Sequence, residues 1–211
     1  MILDTIVTGV IQENCYLAGD KTELLVIDPG ADAKRIERRI REQGYCVKYI
    51  VLTHCHWDHI GAAAQIKEKT GAQLVIGCKE AKAYLDPYVN LMESFGVYAE
   101  LSRPDMTVSE GDELISGNYR FRVIETPGHT EGSLCLLCDD SLFSGDTLFQ
   151  RGMGRVDLPT GSMKKIIVSI KNKLFTLPDE IRVYPGHGAP TTIAYEKKHN
   201  EVYAWERMSD E

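Results

Sequence analysis

Apolar residues recur along this chain in two rhythms. Runs near 2–10, 14–19 and 23–27 are short and rich in Ile, Leu, Val and Tyr, as strands are, and the last ends in the turn Asp28-Pro29-Gly30. A helical rhythm follows over 31–43, with Ile36 and Ile40 on one face and Gly44 closing it. A β-rich run at 47–53 feeds a histidine-rich segment, then a helix over 61–69 carries Ala62, Ala63 and Ile66, stops at Gly71 and gives way to a strand at 74–76. From 86 to 118 the chain turns polar and is broken by Pro87, Gly96, Pro104 and Gly111, so no element is legible there. Strands resume at 120–125, 133–138 and 141–144. Ser162 is placed to cap a helix over 163–175 whose apolar face is Met163, Ile166, Ile167, Ile170 and Leu174. A strand at 182–184, a loop and a helix from about 192 complete the chain. The pattern predicts an α/β fold in one domain over 1–211, with two sheets, helices outside them, and strand–helix alternation feeding each sheet.

Composition changes this picture little. Hydrophobic residues are 43% and charged residues 26% of the 211, as in an ordinary globular protein. No stretch approaches the roughly 20 apolar residues of a membrane span. The first residues carry neither a basic region nor a long apolar run, so a secretory leader is not expected and the cytoplasm is. Net charge is −7, with basic residues scattered among acidic ones, which argues against nucleic acid as a partner. The densest basic run, Lys34-Arg35 with Arg38, Arg39 and Arg41, reads as the solvated face of the first helix. Oligomeric state leaves no signal in the sequence.

Of six cysteines, Cys135 and Cys138 have the spacing of a redox or zinc pair. They lie in an apolar strand, where residues three apart point to opposite faces, so they read as buried thiols.

The chemistry concentrates elsewhere. Thr53-His54-Cys55-His56-Trp57-Asp58-His59 sets four ligand-type side chains in a loop that leaves a strand and enters a helix. Three more candidates each follow a glycine in a loop after a strand: His129 in Thr126-Pro127-Gly128-His129, Asp146 in Ser144-Gly145-Asp146, and His187 in Tyr184-Pro185-Gly186-His187. Five of the six histidines thus fall in strand-end loops, and only His199 lies outside them. Imidazole and carboxylate are ligands for zinc or iron, and Cys55, alternating with two ligands, is expected to point away. His54, His56, Asp58, His59, His129, Asp146 and His187 are too many for one zinc and suit two ions sharing a bridge.

These motifs resemble those of the metallo-β-lactamase superfamily, and within it the glyoxalase II-like (hydroxyacylglutathione hydrolase-like) enzymes. The resemblance runs from Asn14-Cys15-Tyr16 and Asp28-Pro29-Gly30 to the last loop. Gly152-Met153-Gly154-Arg155-Val156-Asp157-Leu158-Pro159 is similar to the short bacterial branch. The resemblance implies a four-layer αββα sandwich with two metals at one edge, zinc first, and iron or manganese as alternatives. It implies a first ion on His54, His56 and His129, a second on Asp58, His59 and His187, and Asp146 bridging them. Asp28 would support the ligand loop, and Asp58 would orient a metal-bridging hydroxide that serves as nucleophile.

The activity implied is hydrolysis of small S-acyl thioesters. Other small esters or lactones, and oxidation of a persulfide by a single iron, are the alternatives. A secreted β-lactamase is disfavoured by the missing leader and by Asp146 where a cysteine is common. Compared with full-length glyoxalase II, the chain is not expected to carry a C-terminal helical domain. It has Arg155 and Asp157 where the glutathione-contacting Lys and Tyr stand, and Gly188 where a Tyr follows the last histidine. Glutathione recognition is therefore not implied. Arg155 is a candidate for a substrate carboxylate, with an ion pair to Asp157 the equal alternative.

Overall fold

The structure, a computed structural model, describes residues 1–209. The first half of the chain builds one sheet. Strands β1 (Ile2–Thr8), β2 (Glu13–Gly19) and β3 (Leu24–Ile27) form an antiparallel meander. From β3 the chain crosses through α1 (Ala33–Gln43) to β4 (Val47–Leu52), then through α2 (Trp57–Ile60) and α3 (Ala63–Thr70) to β5 (Gln73–Gly77). A short 3₁₀ turn (Ala83–Leu85) and α4 (Met92–Phe95) lead to β6 (Met106–Val108). The spatial order is β1-β2-β3-β4-β5-β6, parallel from β3 onward.

The second half builds the other sheet from β7 (Glu113–Ser116), β8 (Tyr119–Glu125), β9 (Leu134–Cys138) and β10 (Ser141–Gly145). A small hairpin, β11 (Leu148–Phe149) and β12 (Gly152–Met153), precedes α5 (Met163–Ser169). Strands β13 (Arg182–Pro185) and β14 (Thr191–Thr192), then α6 (Ile193–His199) and α7 (Val202–Ser209), follow. The order is β14-β13-β10-β9-β8-β7.

Period-two alternation explains why the sheets stack. In β3, Leu24 and Val26 join a core under α1 and α3, while Leu25 and Ile27 face the second sheet. In β9, Leu134, Leu136 and Cys138 face the first sheet while Cys135 packs under α5 with Ile166 and Ile170. The result is a helix–sheet–sheet–helix sandwich with three apolar layers. Cys135 and Cys138 thus point to opposite faces, and burial pushes their thiols up to about 12 and about 11, which leaves them unreactive.

Three expectations need correction. The second sheet is an antiparallel meander except between β10 and β13, because tight turns join β7 to β8 and β9 to β10 and only α5 supplies a crossover. The helix expected over 163–175 is α-helical only to Ser169 and finishes in a π-helical stretch, Ile170–Leu174. Ser162 caps it as expected, accepting from the Lys165 amide. The stretch 86–118 contains α4, β6 and β7, each too short to show a period. On α1, Lys34, Arg35, Arg38, Arg39 and Arg41 lie away from the buried Ile36 and Ile40, as expected. No described helix is long and apolar enough to cross a membrane.

Candidate metal centre

Strands β3 and β4 are parallel neighbours, as are β10 and β13, and β8 runs the same way as β10 because β9 is antiparallel to both. Their C-terminal ends therefore meet at one edge, and each end carries a candidate: Asp28 after β3, the loop 53–56 after β4, His129 after β8, Asp146 after β10 and His187 after β13. Three backbone bonds lock the loops together across the sheets: Leu134 N–H to Thr53 O (2.9 Å), Gly186 N–H to Gly145 O (2.8 Å) and Asn14 N–H to Gly186 O (2.7 Å).

All seven candidates converge. His54, His56 and His129 each offer a ligand atom within 4.8 Å of the other two, and Asp58, His59 and His187 do the same. The Asp146 carboxylate lies between the groups. Its Oδ2 is 3.7 Å from His129 Nε2 and 3.7 Å from His187 Nε2, and its Oδ1 is 3.3 Å from His59 Nε2. Asp58 Oδ2 is 3.1 Å from His187 Nε2 and 3.4 Å from His59 Nε2.

The buried polar atoms show what the cluster lacks. His54 Nε2, His56 Nε2, His59 Nε2 and Asp146 Oδ1 are buried without a hydrogen-bond partner in the protein. Buried polar groups are rarely left so, and these orphaned atoms on four members of the cluster, with His56 Nδ1 only 2.9 Å from His129 Nε2, fit a cation site. Burial, with His129 alongside, lowers His56 to about 3, so its imidazole is neutral and keeps a lone pair to offer a cation. Burial works against the Asp58 charge, but His59 and His187 outweigh it and hold the carboxyl below its usual range.

Asp28 has a role beyond simple support. It also falls within 4.8 Å of His54 and His59, but its oxygens are already occupied. Oδ1 accepts from the Thr53 amide (2.7 Å), while Oδ2 accepts from Thr53 Oγ1 (2.6 Å) and from His59 Nδ1 (3.0 Å). Thr53 Oγ1 in turn accepts from His54 Nδ1 (3.1 Å). One carboxylate thereby fixes the tautomers of a histidine in each group and aims both Nε2 atoms inward. His129 is aimed the same way by the Arg155 carbonyl, which accepts from its Nδ1 at 2.7 Å. Cys55 packs into the outer core with Trp57 and Ile60, pointing away from the cluster as expected.

Sequence reasoning missed Thr53, the Arg155 carbonyl and the work of Asn14. Asn14 Nδ2 donates to Pro185 O and to Gly188 O, both at 3.0 Å, and so spans the loop that carries His187 from 171 residues away. Asn14→Ala is expected to cost about 2 kcal/mol, two hydrogen bonds at roughly 1 kcal/mol each. That lowers the melting temperature by roughly 4–8 °C and speeds amide exchange at 186–188. Unchanged exchange there would show that the loop holds without it. Arg155 sits at the rim of the cavity in front of the cluster, where Nε and Nη2 both bond Asp157 at 2.7 Å, so the ion-pair alternative is the one formed. Tyr195 lines a separate cleft with Arg182 and Gln150.

The model of the metallo-β-lactamase superfamily matches residues 8–187, most of the chain. The chain belongs to the metallo-β-lactamase superfamily. It is 35% identical over 205 residues to hydroxyacylglutathione hydrolase GloC of Haemophilus influenzae, covering 95% of this chain and 97% of that one. Among solved structures, the B3 metallo-β-lactamase BLEG-1 superposes with a TM-score of 0.90 at 34% identity, covering 94% of this chain and 98% of that chain. TTHA1623 in a di-iron-bound form superposes with a TM-score of 0.82 at 32% identity, covering 93% and 98%. The αββα sandwich is thus the superfamily's fold, and these likenesses place the chain among the metal-dependent hydrolases.

Proposed function

We propose that this chain is a dinuclear metal-dependent hydrolase of small S-acyl thioesters. The observation that carries the reading is the position of Asp146 Oδ2, equidistant at 3.7 Å from a nitrogen of each histidine group. On this reading His54, His56 and His129 hold one divalent ion, Asp58, His59 and His187 hold a second, and Asp146 bridges them. Zinc suits the nitrogen and oxygen donors, and iron, which TTHA1623 binds as a pair, suits them too. When bound, two such ions supply a water activated near neutral pH and a Lewis acid for a carbonyl oxygen.

The chain's own residues supply the rest. Asp58 lines the cavity and stays ionised, so it can orient a water and hold its proton. Asp28 and the Arg155 carbonyl keep three imidazoles rigid, so the centre reorganises little when substrate arrives. No side-chain nucleophile is needed. Burial raises the Cys55 thiol well above its usual range, and it faces the core. Cys55→Ala is therefore expected to keep most activity, and a large loss with the metals retained would point to thiol chemistry.

GloC makes a thioester the first substrate class to test, and BLEG-1 makes a β-lactam the second. Persulfide oxidation at one iron needs only one ligand group, and the completeness of the second favours two ions. The test compares S-lactoylglutathione, simple acyl thioesters, nitrocefin, and oxygen uptake on a persulfide. Thioester hydrolysis that is lost to a chelator and restored by zinc is expected. Turnover of nitrocefin alone, or oxygen uptake with one iron per chain, would overturn the reading.

A further inference from the structure

The cluster fixes where a carbonyl reacts, and the cavity in front of it, about 350 Å³, constrains what that carbonyl carries. Its walls are apolar and come from separate parts of the chain. Ile11 comes from the β1–β2 turn, Trp57 from α2, Phe95 from the end of α4, Phe149 and Met153 from the β11–β12 hairpin, and Leu158 from the loop beyond it. Ile11 and Phe95 are 46% and 56% exposed, a large apolar surface held open to water beside a reactive centre. The Phe95 and Trp57 rings are 5.5 Å apart and brace one wall, while the Phe149 ring stands edge-on to His187 at 6.3 Å.

Charge points the same way. Among the described residues lining this cavity, Arg155 is the one Lys or Arg, and Asp157 fills its guanidinium fork through two bonds. The Arg155 guanidinium holds the Asp157 carboxyl below its usual range, so the pair is formed at neutral pH. The two carboxylates in the lining, Asp58 and Asp146, belong to the cluster itself. Among the described residues of the wall outside the cluster, none offers an unpaired cation to a carboxylate on the substrate.

Resting on the hydrolase reading above, we infer that the substrates are thioesters of uncharged, apolar acyl chains several carbons long. The anionic glutathione carrier is not required. Binding energy comes from burying the acyl chain against Ile11, Phe95 and Met153, not from pairing a charged carrier. Hydrolysis breaks the carbon–sulfur bond of the thioester. Water supplies the oxygen of the acid product, and the thiol leaves with a proton.

The experiment uses the metal-loaded full chain and S-acyl N-acetylcysteamine esters from acetyl to octanoyl, with S-acyl glutathione esters of the same acyl groups. Burial of each added methylene is expected to raise kcat/KM about three- to fourfold until the cavity is full. The neutral carrier should serve at least as well as glutathione. Phe95→Ala and Ile11→Ala, both at exposed positions, should flatten the chain-length slope mainly through KM, with a larger loss on the octanoyl ester than on the acetyl ester. A flat profile in the parent protein, or a glutathione preference above tenfold for one acyl group, would overturn this inference and leave the thioesterase reading standing. No turnover of any ester by protein carrying two metals would remove both.

Discussion

Asp146→Ala is expected to drop metal content from about two ions per chain to well below one, and thioester hydrolysis by about a thousandfold or more. The size of the effect follows from geometry. On the proposed reading, a half-buried carboxylate between the two histidine groups, with Oδ2 3.7 Å from a nitrogen of each, would serve both ions at once. Its removal leaves each group with three donors and no shared anion to offset two like charges. The fold should survive, because the Asp146 carboxylate pairs with His59, His129 and His187, members of the cluster, and not with the apolar core. Circular dichroism should match the parent while elemental analysis does not. Two tightly held ions in Asp146→Ala would refute the bridging role.

Gly186→Ala is the second large effect, expected from a single methyl added next to His187. A Cβ there would sit 2.2 Å from Asp146 Oδ1, 2.6 Å from His59 Cε1 and 3.2 Å from Gly145 C. The backbone cannot retreat, since Gly186 N–H donates to Gly145 O and Gly186 O accepts from Asn14 N–H. The Asp146 carboxylate and His59 must move instead. Overpacking of this kind costs about 1–3 kcal/mol of stability, and displacement of two ligands should cut activity roughly a hundredfold or more. Melting curves and metal content read the two losses separately. Full activity with two metals in Gly186→Ala would mean the centre tolerates rearrangement and is not preorganised.

The candidate cluster was legible in the sequence because it is written in residue types. Histidine and aspartate clustered after strand-like runs, each of the later three behind a glycine, say little about fold but much about chemistry. Cys55 was readable by alternation alone. What stayed hidden is long-range. Asn14 belongs to a motif the sequence displays, yet its bonds to Pro185 and Gly188 exist only after the sheets stack. Asp28 was expected to support the ligand loop, but its bonds through Thr53 to His54 and directly to His59 appear only once β3 and β4 pair. Strand pairing in the second sheet was misread because alternation reports which face is buried and not which strand lies beside it. The π-helical stretch after Ser169 escaped because Ile166, Ile170 and Leu174 keep the same buried face in either helix form.

The central claim, that two ions share one bridged site, is tested most directly by X-ray absorption at the metal edge of the reconstituted protein. The account predicts a metal–metal distance of about 3.5–4 Å, with a first shell of nitrogen and oxygen donors and no sulfur. A spectrum with no metal–metal scattering at full loading, or with a sulfur ligand from Cys55, would contradict it.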